Sequence, residues 1–142
     1  MKKFLVIGNP IEHSLSPELH NYWIRKNNIN AIYEKKKLNE DQLEQYISKV
    51  KENKINGINV TVPFKKKIIP YLDELSVEAK ETQSVNTIYL KDKRVVGHNT
   101  DIFGFRTSIE QAKYDLNKKK VLILGAGGVV PSIIFSLIKM KV

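Results

Sequence analysis

Short apolar runs alternate with amphipathic helical patterns along the 142 residues of this chain. Residues 3 to 8 form an apolar run that stops at Asn9-Pro10, and residues 57 to 62 form a β-branched run that stops at Pro63. Both patterns predict buried strands. The order strand, helix, strand, helix, strand is typical of the α/β class, with a mostly parallel sheet flanked by helices. We therefore predict an α/β fold.

Caps and periodicity predict the remaining elements. Helices are expected at residues 17 to 27, 39 to 53, 64 to 69 and 102 to 114, and further strands at residues 31 to 37, 84 to 90 and 94 to 98. Asn39 and Gln42 have the spacing of a capping box. The last two strands flank the turn Lys91-Asp92-Lys93 and predict an antiparallel hairpin.

The final segment predicts the start of a second unit. A polar stretch at residues 116 to 120 precedes an apolar run at residues 120 to 124, which enters Gly125-Ala126-Gly127-Gly128 and a helical pattern. We expect one domain over residues 1 to 117 and the first βα unit of a truncated domain over residues 118 to 142. A single strand and helix cannot bury both apolar faces alone, so pairing into a homodimer is an open alternative.

Composition narrows the function classes. The chain has no cysteine, which removes disulfides and sulfur-ligated metal sites and fits a reducing cytoplasm, and we expect no metal site. No apolar run approaches the ~20 residues that span a bilayer, so no membrane segment is expected. The formal charge of +9 comes mainly from dispersed lysines, without interleaved aromatics. We expect this charge to attract an anionic small substrate, and we expect no nucleic-acid partner.

Polar side chains follow several predicted strands, where open α/β sheets bind ligands. They are His13, Ser14, Ser16, Asn59, Thr61, Lys65, Asn86, Thr87, Asn99, Thr100 and Asp101. Asn59 and Thr61 lie two positions apart on one strand and project from the same face, so they need hydrogen-bond partners from a ligand or from backbone. Ser16 before Pro17 also fits a helix N-cap.

Lys65 and Asp101 are the candidates for proton transfer. A partly desolvated lysine just beyond a buried strand can donate or accept a proton, and a carboxylate would fix its position. The alternatives are structural, because Lys65 begins a run of three lysines and Asp101 suits a helix N-cap. Spacing alone does not choose between the two interpretations.

Five sequence blocks contain most of these residues. They are Gly8-Asn-Pro-Ile-Glu-His-Ser-Leu-Ser-Pro17 with Leu19-His20-Asn21, Gly57-Ile-Asn-Val-Thr-Val-Pro-Phe-Lys65, Ser84-Val-Asn-Thr87, Gly97-His-Asn-Thr-Asp-Ile-Phe-Gly104-Phe105 and Val121-Leu-Ile-Leu-Gly-Ala-Gly-Gly128. In this order and at this spacing the blocks resemble the shikimate dehydrogenase family. The resemblance covers essentially the entire chain.

The resemblance implies an NADP-dependent oxidoreductase that reduces 3-dehydroshikimate to shikimate, in the pathway to aromatic amino acids. It implies that Ser14 and Ser16 hold the substrate carboxylate and that Lys65 and Asp101 form the catalytic pair for proton transfer to the carbonyl oxygen. It also implies that Asn59, Thr61, Asn86 and Asp101 bind the ring hydroxyls, so the implied substrate-binding residues are Ser14, Ser16, Asn59, Thr61, Lys65, Asn86 and Asp101. Serine hydroxyls suit a carboxylate, and amide, hydroxyl and acid groups suit a polyol.

The glycine turn carries the implied cofactor site. By itself a glycine-rich turn between a strand and a helix supports only a nucleotide or a tight turn. In the family this turn is the NADP diphosphate loop of a Rossmann domain. The resemblance therefore assigns Ala126, Gly127, Gly128 and Val129 to the cofactor.

Three departures from the family pattern affect these expectations. Pro131 replaces a small residue such as alanine, and Gln83-Ser84 replaces the customary Gly-Ala before Val-Asn-Thr. The chain also stops at Val142, before the basic motif that recognises the adenosine 2′-phosphate. We therefore expect weak shikimate binding and incomplete catalysis. A quinate/shikimate dehydrogenase, a non-catalytic shikimate-binding module and a lysine-mediated nucleic-acid binder are the alternatives.

Overall fold

Six strands form one mixed sheet in the computed structural model, which describes residues 1–142. In chain order they are β1 (Lys2–Gly8), β2 (Ala31–Lys37), β3 (Gly57–Val60), β4 (Glu74–Leu75), β5 (Thr87–Lys91) and β6 (Arg94–His98). Their order across the sheet is β2-β1-β3-β5-β6-β4. β1 pairs in parallel with β2 and β3, whereas β5 pairs antiparallel with β3 and β6. The predicted α/β class with an antiparallel hairpin is therefore confirmed.

Six α-helices accompany the sheet. They are α1 (Ser16–Lys26), α2 (Leu43–Lys51), α3 (Phe64–Lys67), α4 (Val77–Thr82), α5 (Asp101–Gln111) and α6 (Val130–Lys139). A 3-10 turn at Glu40–Gln42 precedes α2, and the Asn39 N–H donates to Gln42 Oε1 at 2.9 Å, as the capping box predicts. None of the helices has the length and apolar character needed to cross a membrane.

The core divides between the two faces of the sheet because strand side chains alternate. Leu5 and Ile7 of β1 belong to the larger cluster, which also contains the buried face of α2. Val6, between them, belongs to a smaller cluster with Ile11 and Tyr33. Partly buried Ile24 of α1 packs against this second cluster. The parallel strands β1 and β3 thus present their carboxyl ends together between two packed layers.

The predicted strand over residues 120 to 124 is wrong. These residues adopt no strand, and Leu122 and Leu124 are 82% and 88% exposed. A strand needs a neighbouring strand to satisfy its N–H and C=O groups, and no strand lies beside this segment. The helix of the expected βα unit does form, as α6. The boundary between residues 117 and 118 stays a prediction.

Two elements were not predicted from the sequence, and several predicted elements are shorter than expected, among them the helix at residues 64 to 69. β4 has only two residues, and α4 has six, so neither is long enough to show a clear hydrophobic period. The helix expected at residues 64 to 69 ends at Lys67, and a 3-10 turn at Ile69–Tyr71 follows it. Proline at position 70 fits this change, because proline interrupts the hydrogen bonding of a continuing α-helix.

Candidate active site

Lys65 and Asp101 form an ion pair between the starts of two helices. Lys65 lies in the first turn of α3, and Asp101 is the first residue of α5. The Lys65 Nζ atom lies 2.6 Å from Asp101 Oδ2, and the two side chains are 14% and 22% exposed. The predicted pair therefore exists, and partial burial shields it from water. Such a pair holds an ammonium in one orientation towards any group bound beside it.

The second oxygen of Asp101 is also held. Asn86 Nδ2 donates to Asp101 Oδ1 at 2.8 Å and to Thr100 Oγ1 at 2.9 Å. The carboxamide oxygen of Asn86 accepts from the Thr100 N–H at 3.0 Å and from Thr87 Oγ1 at 3.0 Å. Because both carboxylate oxygens accept hydrogen bonds, the Asp101 side chain is held in one orientation.

Asn59 connects this group to β2. The Tyr33 hydroxyl donates to Asn59 Oδ1 at 2.7 Å. Asn59 Nδ2 donates to Thr87 Oγ1 and to the Asn86 carbonyl, both at 3.2 Å. The hydrogen-bond partners expected for the Asn59 side chain are therefore supplied by the protein itself. A continuous line of hydrogen bonds runs from the Lys65 ammonium to the Tyr33 hydroxyl.

Tyr33 is held on three sides. The Asn21 side chain of α1 accepts from the Tyr33 N–H at 3.0 Å and donates to its carbonyl at 2.8 Å. The His20 ring stacks on the Tyr33 ring with centroids 4.2 Å apart. Burial raises the pKa of Tyr33 above its usual value and lowers the pKa of His20. Both rings are therefore uncharged at neutral pH, and the tyrosine keeps its proton for Asn59.

Three of the predicted hydroxyls line a separate cavity of about 290 Å³. Its lining residues are Val6, Pro10, Ile11, His13, Ser14, Ser16 and Thr61. The Thr61 N–H donates to the Ile7 carbonyl at 3.0 Å, which carries the line of β3 past its last residue and places Thr61 beside β1. The hydroxyls of Ser16 and Thr61 have no hydrogen-bond partner in the protein, so both are available to a ligand.

The expected N-cap at Ser16 is wrong. Ser16 is the first residue of α1, and no side-chain hydrogen bond caps this helix. Instead the Ser16 N–H donates to Ser14 Oγ at 3.3 Å. Pro17 then occupies the first turn, where a missing N–H costs nothing. The Ser16 hydroxyl is consequently free of the structural role that the sequence allowed for it.

The glycine turn lies next to Lys65. A cavity of about 500 Å³ separates it from the start of α3 and the end of α4. This cavity is lined by Lys65, Lys66, Thr82, Gln83, Ser84, Ala126, Gly127, Gly128, Val130 and Pro131. Gly125 has a φ of 116°, in the region that favours glycine. The N–H groups of Gly127, Gly128 and Val129 have no acceptor in the chain, so this turn can hold an anionic group.

The structure thus gathers the predicted residues into two groups. Lys65, Asn86, Asp101 and Asn59 share one line of hydrogen bonds, whereas Ser14, Ser16 and Thr61 line the 290 Å³ cavity. Tyr33 was not predicted from the sequence as the partner of Asn59. Its signal was an aromatic hydroxyl on the inward face of a predicted strand, where a buried Tyr usually needs a partner.

Comparisons with known proteins test the family resemblance. The family model for the shikimate dehydrogenase substrate binding domain matches residues 6–88. The chain is 59% identical over 141 residues to the shikimate dehydrogenase (NADP(+)) of Pelagibacter ubique. The aligned region covers 99% of this chain and 53% of the relative. The chain spans about half the length of the curated relatives it matches.

Solved structures of shikimate dehydrogenases share its fold. The crystal structure of shikimate dehydrogenase from Aquifex aeolicus matches with a TM-score of 0.91 at 40% identity, over 99% of this chain and 53% of that one. The shikimate 5-dehydrogenase of Thermus thermophilus, in complex with NADP(H) and shikimate, matches with a TM-score of 0.89 at 32% identity, over 98% of this chain and 52% of that one. With the matched substrate-binding domain, these similarities show that the chain belongs to the shikimate dehydrogenase family.

Proposed function

We propose that this chain provides the substrate-binding half of an NADP-dependent shikimate dehydrogenase, which interconverts shikimate and 3-dehydroshikimate. The observation that carries the proposal is the 2.6 Å contact between Lys65 Nζ and Asp101 Oδ2 in a partly buried setting. Relatives named shikimate dehydrogenase (NADP(+)) match nearly the whole chain, which supports the same chemistry.

Three hydroxyls supply the proposed carboxylate site. Ser14, Ser16 and Thr61 line one cavity, so Thr61, which the resemblance assigned to the ring hydroxyls, lies with the two serines, and neutral O–H donors suit a carboxylate without adding a competing charge. Asn59, Asn86 and Asp101 present amide and carboxylate groups that suit the ring hydroxyls. The net charge of +9 favours the approach of an anionic substrate.

Lys65 is the proposed proton donor. Its ammonium donates a proton to the carbonyl oxygen of 3-dehydroshikimate as that oxygen becomes a hydroxyl, and in the reverse direction the lysine amine accepts the proton. Asp101 holds the ammonium in place, and Asn86 holds the other oxygen of Asp101 at 2.8 Å. This arrangement lets one side chain bind the reacting oxygen and supply its proton.

The glycine turn fits the diphosphate of NADP. Its unbonded N–H groups precede α6 and line the cavity that Lys65 also lines, so an anion there lies beside the proposed proton donor. When bound, NADPH supplies the hydride. Ala126, Gly127, Gly128 and Val129 are the residues that would hold its diphosphate. Lys65 and Lys66 add positive charge at the opposite wall of the cavity.

Separate calorimetric titrations of shikimate and NADP test this proposal. Wild-type chain should bind shikimate saturably, and Lys65→Met should change that affinity by less than about tenfold, since the lysine contributes one hydrogen bond to binding. NADP-dependent oxidation of shikimate should disappear in Lys65→Met under conditions where the wild type shows any. Turnover that survives this substitution contradicts the role of Lys65, and absence of saturable shikimate binding contradicts the proposal as a whole.

Competition between acids distinguishes the related activities. Quinate shares the carboxylate and most hydroxyls of shikimate, so a quinate/shikimate dehydrogenase should bind both acids with similar affinity. Preferential displacement by shikimate supports the proposed substrate. Shikimate binding that is insensitive to NADP and accompanied by no oxidation, even in a longer chain, identifies a non-catalytic binding module instead.

A further inference from the structure

Apart from Tyr33, five polar side chains are buried, and all five lie in one cluster. They are Thr82, Ser84, Asn99, Ser132 and Ser136. They belong to three parts of the chain, which are the end of α4 with the following turn, the turn between β6 and α5, and the helix α6 after the glycine turn. A polar cluster in this position connects the ion pair to the candidate cofactor turn.

Asn99 is the centre of the cluster and is 1% exposed. Its Oδ1 atom accepts from the Asp101 N–H at 2.9 Å and from the Ile102 N–H at 3.4 Å. These contacts hold the first turn of α5, whose unbonded N–H groups need acceptors. One end of the Asn99 carboxamide therefore fixes the backbone that carries the Asp101 carboxylate.

The other end of the carboxamide binds α6. Asn99 Nδ2 lies 2.8 Å from Ser132 Oγ, 2.8 Å from the Ser84 carbonyl and 3.2 Å from Thr82 Oγ1. Ser132 follows the glycine turn by four residues and is fully buried. Ser132 of α6 is therefore bonded to the same side chain that holds the start of α5.

Two further hydrogen bonds join the same parts of the chain. Ser84 Oγ donates to the Gly128 carbonyl at 3.0 Å, and the single hydroxyl hydrogen of Ser136 is shared between the Ser132 carbonyl at 2.8 Å and the Ile102 carbonyl at 3.2 Å. Ser84 replaces an alanine of the family pattern, which has no hydroxyl to make the first contact. No buried side-chain polar atom in the protein lacks a partner, so loss of one member leaves its neighbours unsatisfied.

We propose that Asn99 is a positioning residue, which fixes the Asp101 backbone and the helix after the glycine turn in one arrangement and so sets the Lys65–Asp101 pair relative to the candidate cofactor turn. The value of this arrangement for catalysis rests on the proposed function. The physical link between Ser132, Asn99 and the ion pair does not depend on it.

Selective labelling of Lys65 tests the link without any ligand. The chain is treated briefly with an amine acetylating reagent, and mass spectrometry gives the ratio of label at Lys65 to label at Lys66. Lys65 is shielded and paired, whereas its neighbour Lys66 is exposed and serves as an internal reference. A pair that has lost its alignment frees the Lys65 amine and raises the ratio.

Asn99→Ala should raise the labelling ratio about tenfold, because it removes the acceptor that aligns the start of α5. Ser132→Ala should raise it about threefold, since it acts on the ion pair only through Asn99. Ile47→Val is the matched control, because it destabilises the buried face of α2 away from the cluster. It should leave the ratio at the wild-type value at temperatures well below unfolding.

The outcomes separate positioning from general destabilisation. If Asn99→Ala changes the ratio no more than Ile47→Val does, Asn99 only supports the fold and the proposal is wrong. If Asn99→Ala fails to fold, Ser132→Ala decides, and a wild-type ratio in that variant overturns the link to α6. A protein that shows both increases and yet binds no shikimate keeps this link and loses the proposed function.

Discussion

The Lys65 ammonium lies 2.6 Å from the Asp101 carboxylate although 36 positions separate the two residues in sequence. The contact depends on β3 delivering the start of α3, and on the β5–β6 hairpin returning the chain to the same edge of the sheet. With side chains 14% and 22% exposed, the pair is shielded more than a surface ion pair but is not fully desolvated. Removal of either partner therefore leaves the other charge partly buried and unpaired.

A double-mutant cycle should measure the coupling energy between Lys65 and Asp101. Asp101→Ala should lower the free energy of unfolding by about 1–3 kcal/mol, because it leaves a partly buried ammonium without its counter-charge. Adding Lys65→Met should recover part of that loss. Urea denaturation of the four proteins gives the coupling energy. Additive effects within about 0.3 kcal/mol would show that the contact contributes nothing to stability.

Tyr33→Phe should destabilise the protein by about 1–2 kcal/mol, because it removes the donor to Asn59 Oδ1 and leaves that oxygen without its partner. The substitution keeps the ring that stacks on His20. Thermal unfolding at neutral pH measures the loss. Asn59 also bonds Thr87 and the Asn86 carbonyl, so shikimate affinity should fall as well if Asn59 lies in the binding site.

The same tyrosine predicts an alkaline pH dependence. Burial raises the pKa of the Tyr33 phenol above its ordinary value of 10.0. The folded state therefore keeps this proton while the unfolded state releases it, so the associated stability is complete below pH 10 and is lost as the pH rises further towards the folded pKa. Wild-type stability should fall more steeply above pH 10 than that of Tyr33→Phe. Parallel curves for the two proteins would contradict the raised pKa.

These long-range contacts mark the limit of what the sequence could predict. Strands such as Ala31–Lys37 and Arg94–His98 were predicted at their observed bounds, because alternation and turn residues are local signals. The Tyr33–Asn59 and Ser84–Gly128 hydrogen bonds depend on how distant segments pack, and no local pattern encodes them. The strand prediction for residues 120 to 124 failed for the opposite reason. Their local strand pattern is strong, but no neighbouring strand is present to pair with them.

Glu12 predicts an acid-side dependence in the loop that carries the two serines. The pKa of Glu12 is lowered to about 2 by hydrogen bonds from its own N–H, from the Lys37 side chain and from the Ile11 N–H. Because the pKa is lower in the folded state, the ionised carboxylate stabilises the folded loop at pH values above 4.5, the ordinary pKa. This stabilisation is lost as the pH falls through about 2.

A carboxyl titration followed by NMR should find the Glu12 midpoint well below 4.5 and should move it upwards in Lys37→Met. The exposed Glu44, for which the variant changes no contact, provides the internal control. An unshifted Glu12 midpoint in the wild type would show that the loop does not hold this carboxylate in solution.

The free hydroxyls of Ser16 and Thr61 give the sharpest test of where the substrate carboxylate binds. Neither hydroxyl has a partner in the protein, so Ser16→Ala and Thr61→Val should leave the unfolding free energy nearly unchanged. Each should nevertheless weaken shikimate binding by about tenfold or more, because a hydrogen bond to a charged group contributes about 1.5–3 kcal/mol. Ser48→Ala removes an exposed hydroxyl that bonds the Glu44 carbonyl on α2, and serves as the matched control. If calorimetry finds that Ser16→Ala and Thr61→Val bind shikimate as tightly as Ser48→Ala, the carboxylate binds elsewhere. A carboxylate held in this cavity cannot lose one of its donors without a loss of affinity.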